Sequence, residues 1–437
     1  MKKDKSQDRI VPQKYLLPFI LVTSCFALWG FANDITNPMV EAFSRIFDMG
    51  VSGGTWVQVV FYGGYGLMAF PAAIFIKKFT YKAGILLGLG LYSTGALLFI
   101  PASSIGLFYP FLIAYFVMTC GLSFLETSSN PYILFMGPES TATRRLNFAQ
   151  AFNPMGSLTG MFIAKNLIQA RLDPRSAAQR ALLSPDQMEQ VKFHDLHILS
   201  APYIFIGGVI ILAFLIILFA KMPRNDESTH NFNFWNTIKK LINIKRYREG
   251  VISQLFYVGA QIMCWTFIVQ YGQRIFMNQF GMSAGEGAQK AQFYNIIAMS
   301  IFLVSRFVCT FLLKYITPGK LLRYLSIGAV VLCIGVISFQ NINGLYCLVG
   351  VSACMSLMFP TIYGIALEGM GDDAKFGAAG LIMAIIGGSF LPKIQASIID
   401  LNTVFNLPAV NFSFIIPALC FVVIGIFGYR AETVYKN

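Results

Sequence analysis

Two acidic residues stand where this chain can least accommodate them. Glu126 lies in GLSFLETSSNPY, inside a run otherwise apolar enough to cross a membrane, and Asp34 lies in LWGFANDITNP, between Asn33 and Asn37. An ionisable side chain at the centre of a bilayer costs roughly 3 kcal/mol on insertion scales, so each of these demands a chemical reason. Desolvation favours the neutral acid over the carboxylate, which lets a buried carboxyl take up and release a proton near neutral pH. A proton-coupled carrier needs that property: neutral while loaded, charged while resetting. The alternative for Glu126 is a carboxyl kept neutral for packing. For Asp34 it is a helix-end cap near the outer surface. Asn33, Asp34 and Asn37 share one helix face by their spacing. Pro38 removes a backbone hydrogen bond and frees the carbonyl of Asp34.

Amides are the second chemical ingredient. Asn147, Gln150 and Asn153 recur every third residue in RRLNFAQAFNPMG. An amide offers donors and acceptors together, as the hydroxyls of a sugar require; interhelical hydrogen bonding is the alternative use. In QLFYVGAQIMCWTFIVQY, Gln261 and Trp265 lie one turn apart, an amide for a sugar's edge and an aromatic face for its apolar side. Trp29 offers a second such face. Packing is the alternative for both tryptophans.

Long apolar helices must position these groups. Hydrophobic residues make up 56% of the 437 and charged ones 12%, too little charge to cover a soluble protein of this length. A helix needs about 20 residues to span the hydrocarbon core. Runs that meet this cover roughly 15–40, 55–76, 83–101, 107–136, 147–169, 199–220, 250–278, 291–314, 321–340, 345–369, 376–398 and 409–429. Lys and Arg cluster in alternate connections, including Lys77, Lys78 and Lys82, Arg144 and Arg145, and the loop from Lys221 to Arg248. By the positive-inside rule, twelve spans with both termini cytoplasmic fit this pattern. The expected fold is an all-α membrane protein of twelve transmembrane helices in two six-helix bundles, the major facilitator fold. Its expected parts are an N-terminal bundle over 1–220, a cytoplasmic linker over 221–249 and a C-terminal bundle over 250–437. IFIKKFTYKAGILLGLGLYSTGALLF and TFLLKYITPGKLLRYLSIGAVVLCI, each a basic turn between two apolar helices, echo one another at matching places in the halves.

Other features are bland. The net charge of +13 lies in short clusters between apolar runs, with no basic groove for nucleic acid. All eight cysteines fall in apolar stretches and read as packing residues. The N-terminal MKKDKSQDRIVPQK lacks the apolar core of a cleaved signal peptide. Arg306 and Lys393 are expected to snorkel to the two membrane faces. His194 and His197 fall in a polar outer loop without further ligands, so no metal site is expected. Gly84 and Gly88 form a pair suited to close helix contact. No phosphate loop or nucleophile elbow occurs, so an enzyme is not expected.

Several stretches taken together are similar to one family. FALWGFAND, KKFTYKAGILLGLGLY, FLETSSNPY, GPES followed by RLNFAQAFN, SQLFYVGAQIMCW and FPTIYGIALEGMG, in this order, resemble the fucose–proton symporters of the major facilitator superfamily along nearly the whole chain. The resemblance implies import of a hexose or deoxyhexose coupled to an ion gradient, usually of protons, by two bundles rocking about a central sugar site. It places the family's essential span-four carboxylate on Glu126 and its span-five amides on Gln150 and Asn153. It departs at Asn37, where the fucose symporter carries an acid; Asp34, one turn earlier, is the candidate to replace it. The superfamily's acidic residue in the second turn is absent from IKKFTYKAG.

The expected function is therefore proton-coupled sugar import by alternating access, with L-fucose the leading substrate. Glu126 and Asp34 are assigned to proton coupling. Asn33, Asn37, Gln150, Asn153, Gln261, Trp29 and Trp265 are assigned to substrate binding. The coupling ion is the proton, with sodium as an alternative, and no other cofactor is expected. Glucose, galactose, mannose or an N-acetylhexosamine would suit the same groups. A drug exporter and a non-transporting sugar receptor are the alternatives of another class. The partners are a small sugar and the lipid bilayer, not nucleic acid. The chain is expected to act as a monomer in the inner (plasma) membrane.

Overall fold

A computed structural model describes residues 10–49, 56–169, 171–173, 182–223, 234–282, 284–399, 401 and 403–435. In hydrocarbon every backbone polar group must find a partner within the chain, and the long apolar runs satisfy this by becoming helices. They form α1 (Leu16–Ile46), α2 (Trp56–Lys78), α3 (Tyr81–Leu97), α4 (Phe99–Ile105) and α5 (Phe108–Phe135). Next come α6 (Ala142–Gln150), α7 (Asn153–Ile163) and α8 (Pro185–Phe219). Within the central region lies α9 (Phe234–Asn243), followed by α10 (Lys245–Phe280), α11 (Ala284–Leu312) and α12 (Pro318–Ser338). The chain continues through α13 (Ile342–Met355), α14 (Met358–Leu367), α15 (Ala374–Met383) and α16 (Gly387–Ile399), and ends with α17 (Ala409–Phe412) and α18 (Ile415–Thr433). A two-residue hairpin, β1 (Thr403–Val404) with β2 (Leu407–Pro408), turns at Phe405 and Asn406, both at positive φ.

Among the described residues, 11 helical stretches are long and apolar enough to cross a membrane. The remaining expected span, the fifth, is interrupted: α6 ends at Gln150, α7 begins at Asn153, and a π-helical turn over Ala164–Gln169 follows. Pro154 supplies the reason. It has no N–H to donate to the carbonyl of Gln150, which leaves that oxygen without its partner in a continuous helix. The sixth span also differs, because α8 starts at Pro185. Ser184 and Gln187 form a reciprocal capping box there, with Pro185 in the first turn. His194 and His197 therefore lie on a helix, not in a loop. Helix α9 likewise occupies part of what reads in sequence as a polar loop. Lys240 on it meets Asp373 at 2.6 Å, and this exposed hydrogen-bonded ion pair raises the lysine above its ordinary range.

The chain divides into two compact units. One holds residues 13–132 and 152–228; the other holds 133–151 and 229–437 with 1–12. In the first, α1 and α7 touch along glycines: a Cβ on Gly156 would overlap the carbonyl of Ala27, and one on Gly160 would sit 2.8 Å from that of Phe31. The expected closeness at Gly84 and Gly88 holds, since a Cβ on Gly88 would lie 2.8 Å from the Gly121 carbonyl. Lys82, from the basic turn, donates to the carbonyls of Leu218 and Ala220, both at 2.8 Å, where α8 ends. A cation at a helix C-terminus satisfies orphan carbonyls and opposes their partial charge.

In the second unit Arg145 is fully buried and does the same for the end of α5. Its Nε donates to the carbonyl of Ile133 at 2.7 Å, and Nη2 donates to that of Leu134. Nη1 reaches Pro138, Ile10 and Thr141. At the end of α12, Asn411 and Tyr271 donate to the carbonyls of Val336 and Phe339. The cysteines form no disulfide, and six of the eight are buried. They are the packing residues that their apolar surroundings imply.

The glycine contact of α7 with α1 is the part least able to give way, because the obstructing atom belongs to the backbone. Gly156→Val should cost more than the usual ~1–3 kcal/mol of overpacking. The check is thermal unfolding in detergent with the monodisperse yield, and Gly156→Ala is expected to fall between Val and the parent.

Candidate substrate and proton-coupling site

Glu126 is 4% exposed, on α5. Small residues bring its partner within reach. A Cβ on Gly64 of α2 would meet the Thr119 side chain of α5 at 2.9 Å, so α2 approaches closely here. Ser123 donates to the carbonyl of Tyr65 at 3.3 Å and sets the register of the two helices. The Tyr65 hydroxyl then donates to Glu126 Oε1 at 3.0 Å. The same hydroxyl lies 3.5 Å from Asn33 Oδ1 on α1. Three helices thus converge on one phenol. Among the described residues no Lys or Arg forms an ion pair with Glu126. The neighbouring hydroxyls of Thr127 and Ser129 are buried without a hydrogen-bond partner. An uncompensated carboxylate in such surroundings is costly, whereas the neutral acid is tolerated.

The other residues assigned in span one are nearby in sequence and differ in state. Asp34 is buried and within electrostatic reach of Tyr62, one turn before Tyr65 on α2. Trp29 is buried with its ring centroid 4.0 Å from that of Phe26. Asn153, at the start of α7, donates to the carbonyl of Phe26 at 3.2 Å, so half of its amide secures α7 to α1. The Asn37 side chain lies outside the described residues.

In the second unit Gln150 ends α6, and its carbonyl has a cationic partner. Arg306 on α11 donates from Nη1 to that oxygen at 2.9 Å, and from Nε to the carbonyl of Ser356. Its guanidinium also lies 4.6 Å from the ring of Phe302. Only 3% of this residue is exposed, so the expected snorkelling to a membrane face does not occur. Two prolines explain why. Pro154 cannot donate to the carbonyl of Gln150, nor Pro360 to that of Ser356, and each proline stands four residues after the oxygen it leaves free. Arg306 fills both vacancies with charge-assisted hydrogen bonds. Asn147 serves packing, since its Nδ2 donates to Thr361 Oγ1 at 3.2 Å and to the carbonyl of Thr143 at 2.9 Å.

On α10, Trp265 donates from its indole to Ser352 Oγ at 3.2 Å and meets Phe302 edge-on at 5.0 Å. Gln261 is half-buried and reaches the Tyr257 hydroxyl. Two turns earlier on the same face, Gln254 is fully buried with neither amide atom hydrogen-bonded. Buried amides are ordinarily satisfied, so this one is conspicuous.

The structure therefore ties Glu126 to Asn33 through Tyr65 in one unit. It places Gln150, Trp265 and Arg306 in one connected set, through Phe302, in the other. Tyr65, Gln254 and the role of Arg306 are not evident from sequence alone. Tyr65 is one tyrosine in an aromatic-rich helix. The Gln–x–x–x–Pro and Ser–x–x–x–Pro spacings do announce two freed carbonyls, and a buried cation nearby is their natural partner.

Among the described residues, 11 spanning helices and one interrupted span, with polar groups buried among them, define an α-helical membrane protein. The chain belongs to the Major Facilitator Superfamily, whose family model matches residues 22–392. It is 50% identical over 434 residues to the L-fucose-proton symporter of Haemophilus influenzae, covering 98% of this chain and 99% of that one. To the L-fucose-proton symporter of Escherichia coli it is 34% identical, over 99% of this chain and 96% of the other. Among solved structures it is similar to the transporter FucP crystallised in the outward conformation. The TM-score is 0.85 at 33% identity, over 96% of this chain and 99% of that one.

Removing the guanidinium of Arg306 strands two buried carbonyls. Arg306→Ala should destabilise the protein by about 3 kcal/mol or more, each charge-assisted bond being worth about 1.5–3. Arg306→Lys should recover less than half of this, because a point ammonium cannot fork to both oxygens. Melting temperatures of the purified variants check both statements.

Proposed function

We propose that this protein imports L-fucose together with a proton by alternating access. The observation that carries the proposal is Glu126: a buried carboxyl with a tyrosine partner and, among the described residues, no cationic one, in a chain half identical to an L-fucose-proton symporter. The proton binds Glu126 with the outside open, the sugar follows, and the loaded carrier holds less buried charge while it reorients. Asp34, beside Asn33 on α1, is the second residue we assign to proton coupling. Asn33, Asn37, Gln150, Asn153, Gln261, Trp29 and Trp265 are the residues we assign to sugar contacts. Gln254 joins this group as a buried amide whose partners a hydroxylated solute can provide.

The proton is the coupling ion and no further cofactor takes part. The protein works as a monomer in the inner membrane. Both termini and the 221–249 linker are cytoplasmic in this reading, which the distribution of Lys and Arg supports.

The test is uptake of labelled L-fucose into proteoliposomes under an imposed pH gradient, inside alkaline and without sodium. One pH unit is worth about 1.4 kcal/mol per proton, so one proton per sugar should give roughly tenfold accumulation. A protonophore should abolish it. Glu126→Gln should reach only equilibrium while still exchanging sugar across the membrane. Full accumulation by that variant would overturn the role of Glu126.

A further inference from the structure

The phenol between Glu126 and Asn33 has a choice of acceptors. Tyr65 Oη lies 3.0 Å from Glu126 Oε1 and 3.5 Å from Asn33 Oδ1, yet a phenol carries a single hydrogen. While Glu126 is ionised the carboxylate takes that hydrogen, because a charged acceptor forms the stronger bond. The longer distance to Asn33 agrees with this arrangement. Once Glu126 is protonated it becomes a donor, and its O–H can point into the Tyr65 oxygen. The phenolic hydrogen is then released to turn toward Asn33 Oδ1.

We propose that Tyr65 is a positioning residue that relays the protonation of Glu126 to the sugar-binding amide of Asn33 by reversing two hydrogen bonds. With Oδ1 held by Tyr65, the Asn33 amide is fixed and both Nδ2 hydrogens are presented elsewhere, to the hydroxyls of the sugar. With Glu126 ionised the amide loses that anchor. The proton thereby prepares the sugar site, which makes proton binding precede sugar binding. No covalent bond changes except the one that Glu126 makes to the incoming proton; Tyr65 keeps its own hydrogen throughout. The relay rests on the proposed sugar–proton symport and adds the physical link between its two ligands.

The surroundings leave this hydroxyl as the movable part. Tyr62 and Tyr92 are the other ionisable groups acting on Tyr65, from α2 and α3, with Asp34 of α1 beyond Tyr62. Tyr92 donates to the carbonyl of Leu28 at 2.9 Å, which commits its hydrogen. The Tyr65 ring is held edge-on to Phe61, with centroids 5.9 Å apart, so a phenylalanine would keep that packing and lose only the hydroxyl.

The experiment compares the parent with Tyr65→Phe in sugar binding across pH, in exchange and in accumulation. In the parent, affinity should fall as pH rises and Glu126 ionises. In Tyr65→Phe, this pH dependence should shrink at least about fivefold, the scale of an ordinary coupling free energy, while exchange continues and accumulation is lost. Adding Glu126→Gln to Tyr65→Phe should change the affinity profile no further. A Tyr65→Phe protein that accumulates sugar with the parental pH profile overturns the relay. If that variant does not fold, infrared difference spectra of the parent decide. Protonation of the carboxyl should shift a phenol C–O band, and that shift should vanish in Glu126→Gln; no phenol shift in the parent overturns the relay. Failure of the parent itself to accumulate L-fucose counts against the symport and is read separately, before any variant.

Discussion

Everything in the first unit is arranged around the cost of holding a carboxyl group out of water. In a low-dielectric interior an ionised Glu126 needs either a cation or several strong donors. Among the described residues one phenol donates to it and no Lys or Arg forms an ion pair with it. Such a site discriminates between the two protonation states far more sharply than a solvated carboxylate would. The close contact at Gly64 brings α2 with its phenol against α5, and those at Gly84 and Gly88 bring α3 against α5. In the proposed cycle, coupling of proton and sugar follows from the same constraint, because anything that favours the neutral acid favours the state prepared for the sugar.

The second unit treats buried charge in the opposite way. Arg145 and Arg306 are each satisfied by backbone oxygens that helix geometry has left free: at a helix end for Arg145, and four residues before a proline for Arg306. These cations carry structure. They join segments whose own hydrogen bonding is incomplete, and their removal leaves orphan acceptors. In the proposed relay Glu126 differs, because its partner turns and the hydrogen bond between them reverses direction. On this proposal, that difference separates a group that titrates during a transport cycle from groups that stay charged.

Much of this was legible in the residues. Twelve apolar runs and the exceptional position of Glu126 follow from the cost of polar groups in hydrocarbon, which composition and spacing reveal directly. The pairing of Gly84 and Gly88 with a neighbouring helix was equally accessible. The interruption of the fifth span was written in Asn153–Pro154, yet an apolar run of spanning length invites one continuous helix. The burial of Arg306 was missed for a related reason. Snorkelling is the usual escape for a long cation near a helix end, and only the two proline spacings together show a better one. Tyr65 could not be picked out, since its importance arises from which helices meet at it, and periodicity along one helix says nothing of that. The extent of α8 at His194 and His197 depended on a capping box at Ser184 that the polar composition of the segment concealed.

The most direct test is proton uptake on sugar binding, followed with a pH indicator in lightly buffered detergent solution. If a protonated Glu126 is the state that binds sugar, adding L-fucose above the titration midpoint of that carboxyl must draw protons from solution, up to about one per sugar bound, by linkage. The uptake should disappear in Glu126→Gln although the variant still binds. L-fucose binding by the parent with no proton uptake at any pH would contradict the account.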